Sequence, residues 1–282
     1  MYPRQSVPPQ AVPRSGFMRA HVLVKPGEME LRSLPRPSAG PGEVVVQVRS
    51  ALTCGTDIKA LLRGHPKFAM PMRFGHEFSG ELADVGPGVV GFRAGDAVMA
   101  VPTAPCGSCY YCEREQENLC ETLIDDYVFG AYAEYLKLPA RIVATNLFHK
   151  PTHLSFAEAA LLEPLACVVH GLQQISVRED DTVVLIGAGA ISLLHMLVLR
   201  AMGVQQIIVV GRSERRAAFA RAIGVAVVLT EPPLTARQAV LDLTAGRGAD
   251  LVIECTGQVE IWEAAPALAR RGGTVLLFWG CP

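Results

Sequence analysis

The sequence has almost no net charge and no long apolar run. Its 26 basic and 27 acidic residues nearly cancel, so we predict no surface that binds nucleic acid or an anionic membrane. No apolar run approaches the roughly 20 residues that a membrane-spanning helix needs. Half of the 282 residues are hydrophobic, which allows a sizeable core and, at this length, two domains.

The first residues, MYPRQSVPPQAVPRSG, contain four prolines and lack the apolar centre of a secretory signal. We expect residues 1–17 to form a disordered extension and the protein to be cytoplasmic. A transit peptide is the alternative, because this stretch carries Arg4 and Arg14 and no acidic residue.

Four of the eight cysteines fall within fifteen residues, in the stretch PCGSCYYCEREQENLC. They are Cys106, Cys109, Cys112 and Cys120. Thiols stay reduced in the cytosol, and disulfides between such near neighbours would be strained. Four thiolates without histidine suit a closed, tetrahedral, structural zinc site, so we predict a zinc lobe over about residues 104–122. Redox-active cysteine pairs are the alternative.

The chain has two regions with different sequence patterns. Short alternating or apolar runs separated by glycine and proline, such as GEVVVQVRSA and AEYLKL, predict a β-rich domain over residues 18–155. The stretch SFAEAALLEPLACVVHGLQQI reads as a helix with Ser155 as its N-cap. From Thr182 onward, apolar strands alternate with helical segments. This alternation predicts an α/β domain over residues 156–282, a doubly wound parallel sheet with five strands.

A glycine turn follows the first strand of this second domain, in the sequence IGAGAIS. Gly187 permits the tight turn, Gly189 lets the backbone approach a pyrophosphate, and Ser192 is small enough for close packing of helix and strand. Between a predicted strand and a predicted helix, this motif indicates a dinucleotide cofactor. A tight turn without a ligand is the alternative.

The end of the second strand favours NADP over NAD. The carboxylate that usually binds the adenosine ribose of NAD is replaced by Gly211, and Arg212, Ser213 and Arg216 follow. The alternative is NAD, with these arginines solvated and Glu214 binding the ribose. By its position after the fourth strand, Thr256 is predicted to lie on the nicotinamide side of the cofactor.

Three further polar stretches are CGTDIK, FGHEFSGELADVGPGV and LLEPLACVVHG. Together with the cysteine lobe and the dinucleotide motif, they resemble the zinc-dependent medium-chain dehydrogenase/reductase family, and most closely its polyol and threonine dehydrogenase branch. The resemblance implies a GroES-like catalytic domain, followed by a Rossmann-type domain with five of six strands present. It also implies one catalytic zinc and one structural zinc. Full-length members of the family form homo-oligomers.

Carried over by position, the resemblance implies a ligand set for the catalytic zinc. The zinc ligands would be Cys54, His76 and Glu163, with Glu77 coordinating directly or exchanging with water or substrate. Asp57 would hold the His76 ring.

Thr56 would accept the proton of the substrate hydroxyl and start a relay. Lys59 stands where the family often has a histidine that completes the relay, and a solvated amine is its alternative reading. We also expect Met18 to match the usual family start and the chain to be C-terminally incomplete.

These expectations combine into one predicted activity. The chain would transfer hydride between a secondary alcohol or polyol, or the corresponding carbonyl compound, and NAD(P). The alternative is a catalytically inactive remnant that retains structural zinc and nucleotide binding.

Overall fold

The computed structural model describes residues 15–64, 68–125, 127–232 and 235–278. The chain divides into two compact units, Met1–Glu163 and Pro164–Pro282. The predicted domain boundary at residue 155 therefore falls inside the first unit. Within the described residues, no helix is both long enough and apolar enough to cross a membrane.

The first unit is built mainly from antiparallel strands. They are β1 (Phe17–Lys25), β2 (Glu28–Pro35), β3 (Val44–Leu52), β4 (Met72–Arg73), β5 (Glu77–Val85), β6 (Ala97–Ala100), β7 (Tyr135–Leu138) and β8 (Leu147–His149). Among the described residues they form a sheet ordered β2-β1-β4 and a sheet ordered β7-β3-β5-β6-β8. The core of the larger sheet includes Val44, Val46, Phe78 and Leu136, which are fully or almost fully buried. This β-rich unit confirms the class of fold predicted for the N-terminal half.

Short helices connect these strands. They are α1 (Gly55–Arg63), α2 (Ala140–Thr145), α3 (Phe156–Ala159) and α4 (Leu162–Gln173), which begins at the end of the first unit. The single helix predicted from Ser155 is thus two helices. Ser155 caps α3 through a reciprocal pair of hydrogen bonds with Glu158, as expected for a capping box.

The second unit is an open parallel sheet with helices on both faces. Its elements are β9 (Thr182–Ile186), α5 (Ala190–Ala201), β10 (Gln206–Val210), α6 (Glu214–Ala222), β11 (Val227–Leu229), α7 (Arg237–Leu243), β12 (Ala249–Glu254), α8 (Val259–Ala264) and β13 (Ala269–Leu277). Among the described residues the order is β11-β10-β9-β12-β13, which confirms the predicted doubly wound sheet of five strands.

Continuous apolar runs form these parallel strands because both faces of the sheet are covered. In β9, Val183 and Leu185 pack on the face that carries α5, and Val184 and Ile186 on the face that carries α7 and α8. The chain order reverses between β9 and β12, and ligands bind at such a point in this class of sheet.

Two predicted boundaries differ from the structure. Strand β1 begins at Phe17, which pairs with Pro35, so the predicted extension ends too late; its residues 1–14 lie outside the described part of the chain. The last of the predicted helical segments, EIWEAAPALARR, is an α-helix only as far as Ala264; it continues as a 3-10 turn (Ala265–Leu268), and its last three residues belong to β13.

Candidate metal centres and cofactor pocket

The four clustered cysteines of the first unit converge on one point. All four Sγ atoms lie within 4.8 Å of one another. The Sγ of Cys112 is 3.5 Å from that of Cys109 and 3.9 Å from that of Cys106, far beyond the roughly 2 Å of a disulfide bond. The backbone N–H of Cys106 donates to Cys120 Sγ at 3.3 Å. Four thiols at this spacing fit a tetrahedral zinc ion.

A second group forms where α1 approaches the start of β5. Cys54 directly precedes α1, and its Sγ lies 3.4 Å from His76 Nε2. On the other side of the ring, Nδ1 lies 3.3 Å from Asp57 Oδ1, without hydrogen-bond geometry. Asp57 is held in turn, because its Oδ2 accepts from Tyr132 Oη at 2.9 Å and from the Cys54 backbone N–H at 3.1 Å. The arrangement aims one ring nitrogen at a thiol and the other at a carboxylate.

His76 also belongs to a third group, with Glu77 and Glu163. Their ligand atoms lie within 4.8 Å of one another, as do those of Cys54, Asp57 and His76. The structure thus brings the four predicted catalytic-zinc ligands into two overlapping groups that meet at His76. A thiol, an imidazole and carboxylates form a donor set that zinc accepts.

Charge and burial shift the pKa values in this centre. Burial, together with the nearby charge of Glu163, raises the pKa of Glu77 to about 7. Burial lowers the pKa of His76, but Asp57 and Cys54 outweigh burial and raise that pKa to about 10. Two carboxylates that repel each other beside a histidine are a setting in which a bound cation would relieve the repulsion.

The two predicted relay residues lie on α1. The side chain of Thr56 is exposed and that of Lys59 is half-buried. Sequence reasoning missed Tyr132, whose hydroxyl lies within 2.9 Å of Leu52 O, Thr53 Oγ1 and Asp57 Oδ2. No local pattern marks Tyr132, because its partner Asp57 is 75 residues away in sequence.

In the second unit, a pocket of about 420 Å³ opens at the carboxyl ends of β9, β10 and β12. Six of the eight predicted cofactor residues line it, namely Gly187, Gly211, Arg212, Ser213, Arg216 and Thr256. Gly189 immediately precedes α5, and a Cβ added there would meet no atom within 4 Å, which leaves room for a phosphate beside the helix N-terminus. Ser192 is completely buried and does not line the pocket. Its predicted contribution is therefore limited to packing.

The side chains beyond β10 bear on the choice between NADP and NAD. Arg212 and Arg216 are exposed at the pocket, and Ser213 caps α6 by accepting from the Arg216 backbone N–H. Glu214 does not line the pocket; its Oε1 accepts a hydrogen bond of 2.8 Å from Arg221 Nη1.

One buried acid, which contacts the pocket-lining residue Thr256, was not predicted. Glu254, the last residue of β12, has no exposed surface and accepts hydrogen bonds from Thr256, Gly257 and Trp262. The available signal was an acidic residue that ends an otherwise apolar strand, in the sequence ADLVIECTG.

A group of zinc-type donors in the first unit and a dinucleotide-type pocket in the second are the features of a metal-dependent oxidoreductase. The family described as "Alcohol dehydrogenase GroES-like domain" matches residues 40–147, and the family described as "Zinc-binding dehydrogenase" matches residues 190–278. The chain belongs to this zinc-dependent, NAD(P)-linked dehydrogenase family, as the resemblance implied.

Three similar relatives are named as dehydrogenases of altritol, sorbitol and threonine. The chain is 34% identical over 270 residues to D-altritol 5-dehydrogenase of Agrobacterium fabrum, covering 94% of this chain and 77% of that protein. It is 33% identical to sorbitol dehydrogenase of Halalkalibacterium halodurans, covering 88% and 72%. It is 30% identical to L-threonine 3-dehydrogenase of Bacillus velezensis, covering 86% and 70%. These relatives give no support to the alternative of an inactive remnant.

Solved structures share the fold. A zinc-binding dehydrogenase from Sinorhizobium meliloti 1021, solved bound to NADP, matches with a TM-score of 0.83 and 29% identity over 94% of this chain and 78% of that chain. An alcohol dehydrogenase from Escherichia coli CFT073, solved with NADH, matches with a TM-score of 0.80 and 28% identity over 93% and 76%.

Proposed function

We propose that this chain oxidises a secondary alcohol of a polyol or amino-polyol to the ketone with NADP, and catalyses the reverse reduction. The observation that carries the proposal is the meeting of two ligand groups at His76, one with Cys54 and Asp57 and the other with Glu77 and Glu163. The substrates named for the altritol, sorbitol and threonine dehydrogenases support this substrate class.

In this proposal Cys54, His76 and Glu163 hold the catalytic zinc, with Glu77 beside them. A zinc ion held there would polarise the substrate oxygen and lower the pKa of the alcohol, and a nicotinamide bound in the pocket would accept the hydride. Asp57 keeps the His76 ring in place, and Tyr132 in turn fixes Asp57.

Proton transfer belongs to the residues of α1. Thr56 accepts the hydroxyl proton, for which its exposed position is suited, and Lys59 lies one helical turn further on as a candidate for the next step. Both roles are inferred from their positions in the chain.

The coenzyme preference follows from the pocket. A 2′-phosphate needs cationic donors, and Arg212 and Arg216 supply them at the pocket. Engagement of Glu214 with Arg221 disfavours the alternative in which Glu214 binds a ribose. Relatives solved with NADP and with NADH leave this choice to the chain's own residues.

The cysteine lobe would hold a structural zinc, which closes the loop between Cys106 and Cys120 without an open coordination position. A reducing cytoplasm, the predicted location, would keep these thiols available for the metal.

The test is a coenzyme-linked assay of the purified chain on sorbitol, altritol, threonine and 2-butanol, with ethanol as the primary-alcohol comparison. We expect NADP reduction with at least one secondary alcohol, loss of activity after chelation, and recovery with zinc. Full activity in zinc-free protein, or faster turnover of ethanol, would contradict the proposal.

A further inference from the structure

Glu254 collects an unusual number of donors for a residue outside the metal centres. Its Oε1 accepts from the Thr256 backbone N–H at 2.5 Å, from the Thr256 hydroxyl, and from the Gly257 N–H at 3.1 Å. Its Oε2 accepts from Trp262 Nε1 at 2.8 Å and from the Gly257 N–H at 3.2 Å. One buried carboxylate therefore joins the end of β12, the loop that follows it, and α8.

These contacts orient the loop toward the cofactor pocket. The Thr256 hydroxyl donates to Glu254 and accepts from the Gln258 N–H at 3.3 Å, so the rotamer of Thr256 is fixed from two sides. The Thr256 methyl group then faces the glycine turn, where a Cβ added to Gly187 would lie 3.1 Å from it. Thr256 and Gln258 both line the pocket.

We propose that Glu254 is a positioning residue for dinucleotide binding: it holds the Cys255–Gln258 loop in its binding conformation before the cofactor arrives. The inference rests on the proposed function, because it takes the pocket to be the dinucleotide site. A loop that is ordered in advance costs less conformational entropy on binding, so the carboxylate acts on cofactor affinity without touching the cofactor.

Replacement by glutamine separates this role from simple space filling. The amide oxygen can serve the donors that now meet Oε1, but the amide nitrogen then faces the indole N–H of Trp262, and two donors oppose each other. Trp262→Phe removes the opposing donor. The double variant E254Q/W262F is therefore expected to bind the cofactor more tightly than Glu254→Gln alone.

The experiment measures the Kd of NADPH and of NADH by fluorescence for the zinc-loaded wild type, Glu254→Gln, Trp262→Phe and the double variant. Glu263→Gln, an exposed acid on the same helix, is the matched control. We expect Glu254→Gln to raise the Kd of the preferred coenzyme at least about tenfold, with zinc per chain unchanged and most of the loss recovered in the double variant. Amide exchange at Thr256 and Gly257 should accelerate in cofactor-free Glu254→Gln.

Three outcomes would overturn the inference. An unchanged Kd in Glu254→Gln would refute it while leaving the proposed function intact. A double variant as weak as, or weaker than, the single variant would mean that the charge, and not the donor arrangement, matters. A wild type that binds neither coenzyme would refute the proposed function and this inference together.

A second pair of variants covers the case in which Glu254→Gln does not fold. Thr256→Val keeps the shape of the side chain but removes the hydroxyl tether, and Thr256→Ser keeps the hydroxyl. We expect a weakened Kd in Thr256→Val and a smaller change in Thr256→Ser. Equal Kd values in the two variants would contradict the proposal that the Thr256 hydroxyl, through Glu254, holds the loop for cofactor binding.

Discussion

A side chain larger than hydrogen at Gly211 would collide with the glycine turn. An added Cβ would lie 2.8 Å from the Cβ of Ala188 and 3.1 Å from its backbone nitrogen. The position thus requires glycine for packing, whatever its effect on the coenzyme. An aspartate introduced there would disturb the pocket as well as add charge, so coenzyme preference is better tested at the exposed arginines that follow.

Replacing Arg212 and Arg216 together by alanine should reverse the coenzyme preference. Each charge-assisted hydrogen bond to a phosphate contributes about 1.5–3 kcal/mol, so we expect the loss of two to lower kcat/KM with NADP at least roughly 100-fold. The value with NAD should change little. The measurement is kcat/KM for both coenzymes with one substrate.

Arg215→Ala is the matched control, because Arg215 is exposed on the same helical turn but does not line the pocket. It should leave both coenzymes unaffected. An equal fall with NADP and NAD in the Arg212/Arg216 double variant would argue against a 2′-phosphate site.

His195 offers a residue-scale test of stability against pH. It is completely buried in α5; its Nδ1 contacts Ile191 O at 3.0 Å, and Nε2 has no hydrogen-bond partner in the described part of the chain. Cys255 Sγ lies 3.9 Å from Nδ1, and the ring of Phe278 packs against it edge-on. Burial lowers the pKa of His195 to about 4.

The sign follows from the direction of this shift. Between pH 6.5 and about 4 the unfolded chain binds a proton at this residue and the folded chain does not, so stability falls as the pH falls. Since one pKa unit corresponds to about 1.4 kcal/mol, we expect His195 to lower the free energy of unfolding by about 2 kcal/mol between pH 7 and pH 5. His195→Leu should remove this increment, measured as the difference between the two proteins in urea unfolding at both pH values. Parallel losses in both proteins would contradict the assignment.

At the scale of elements, one arginine fastens the cysteine lobe to the first unit. Arg141, on α2, donates to the carbonyl of Ala104 through Nε at 2.9 Å and Nη2 at 2.6 Å. It also donates to Thr122 O at 3.0 Å and to Thr122 Oγ1 at 3.1 Å. The guanidinium therefore binds both ends of the lobe, just outside its four cysteines.

Arg141→Met should loosen this lobe while leaving the cofactor pocket intact. An orphaned buried acceptor costs about 1–3 kcal/mol, so the lobe should open more often and lose zinc to a coloured chelator at least about threefold faster. Arg93→Met, on the surface of the same unit, is the control because its side chain is mostly exposed. Identical rates of zinc loss in Arg141→Met and wild type would show that the hydrogen bonds of Arg141 have no effect on metal retention.

The pattern of apolar residues predicted the elements that are buried along their whole length. It did not predict element ends that are set by tertiary contacts. The five apolar runs of the second unit became the five strands of its sheet, because buried parallel strands need no polar face. The apolar pattern gives no sign of the break between α3 and α4, nor of the early start of β13. The ligands of the catalytic centre came from the resemblance, since nothing local marks Cys54 or Glu163, whereas the spacing of the four clustered cysteines was sufficient to predict the lobe. Tyr132 binds Asp57 from 75 residues away in sequence, and Arg141 binds Ala104 from 37 residues away, so only folding brings these partners together.

At the scale of the whole molecule, the two candidate metal centres share no residue, although both lie in the first unit. If the cysteine lobe is closed by its own four thiolates, the other centre can lose a ligand without affecting it. Cys54→Ala removes the thiol that lies 3.4 Å from His76 Nε2 and should lower zinc from about two to about one per chain. Elemental analysis of chelator-washed protein gives the count, and coenzyme-linked activity should disappear with the lost ion.

Two variants make this count interpretable. Cys167→Ala, at an exposed cysteine outside both groups, should retain two zinc ions, and Cys112→Ala should lose the zinc of the lobe. NADPH affinity should persist in Cys54→Ala, because the pocket is built entirely from the second unit. Loss of both metals from Cys54→Ala would mean that the centres assemble together and would refute the two-site arrangement. Retention of both would remove Cys54 from the ligand set and leave His76, Glu77 and Glu163 as the remaining donors.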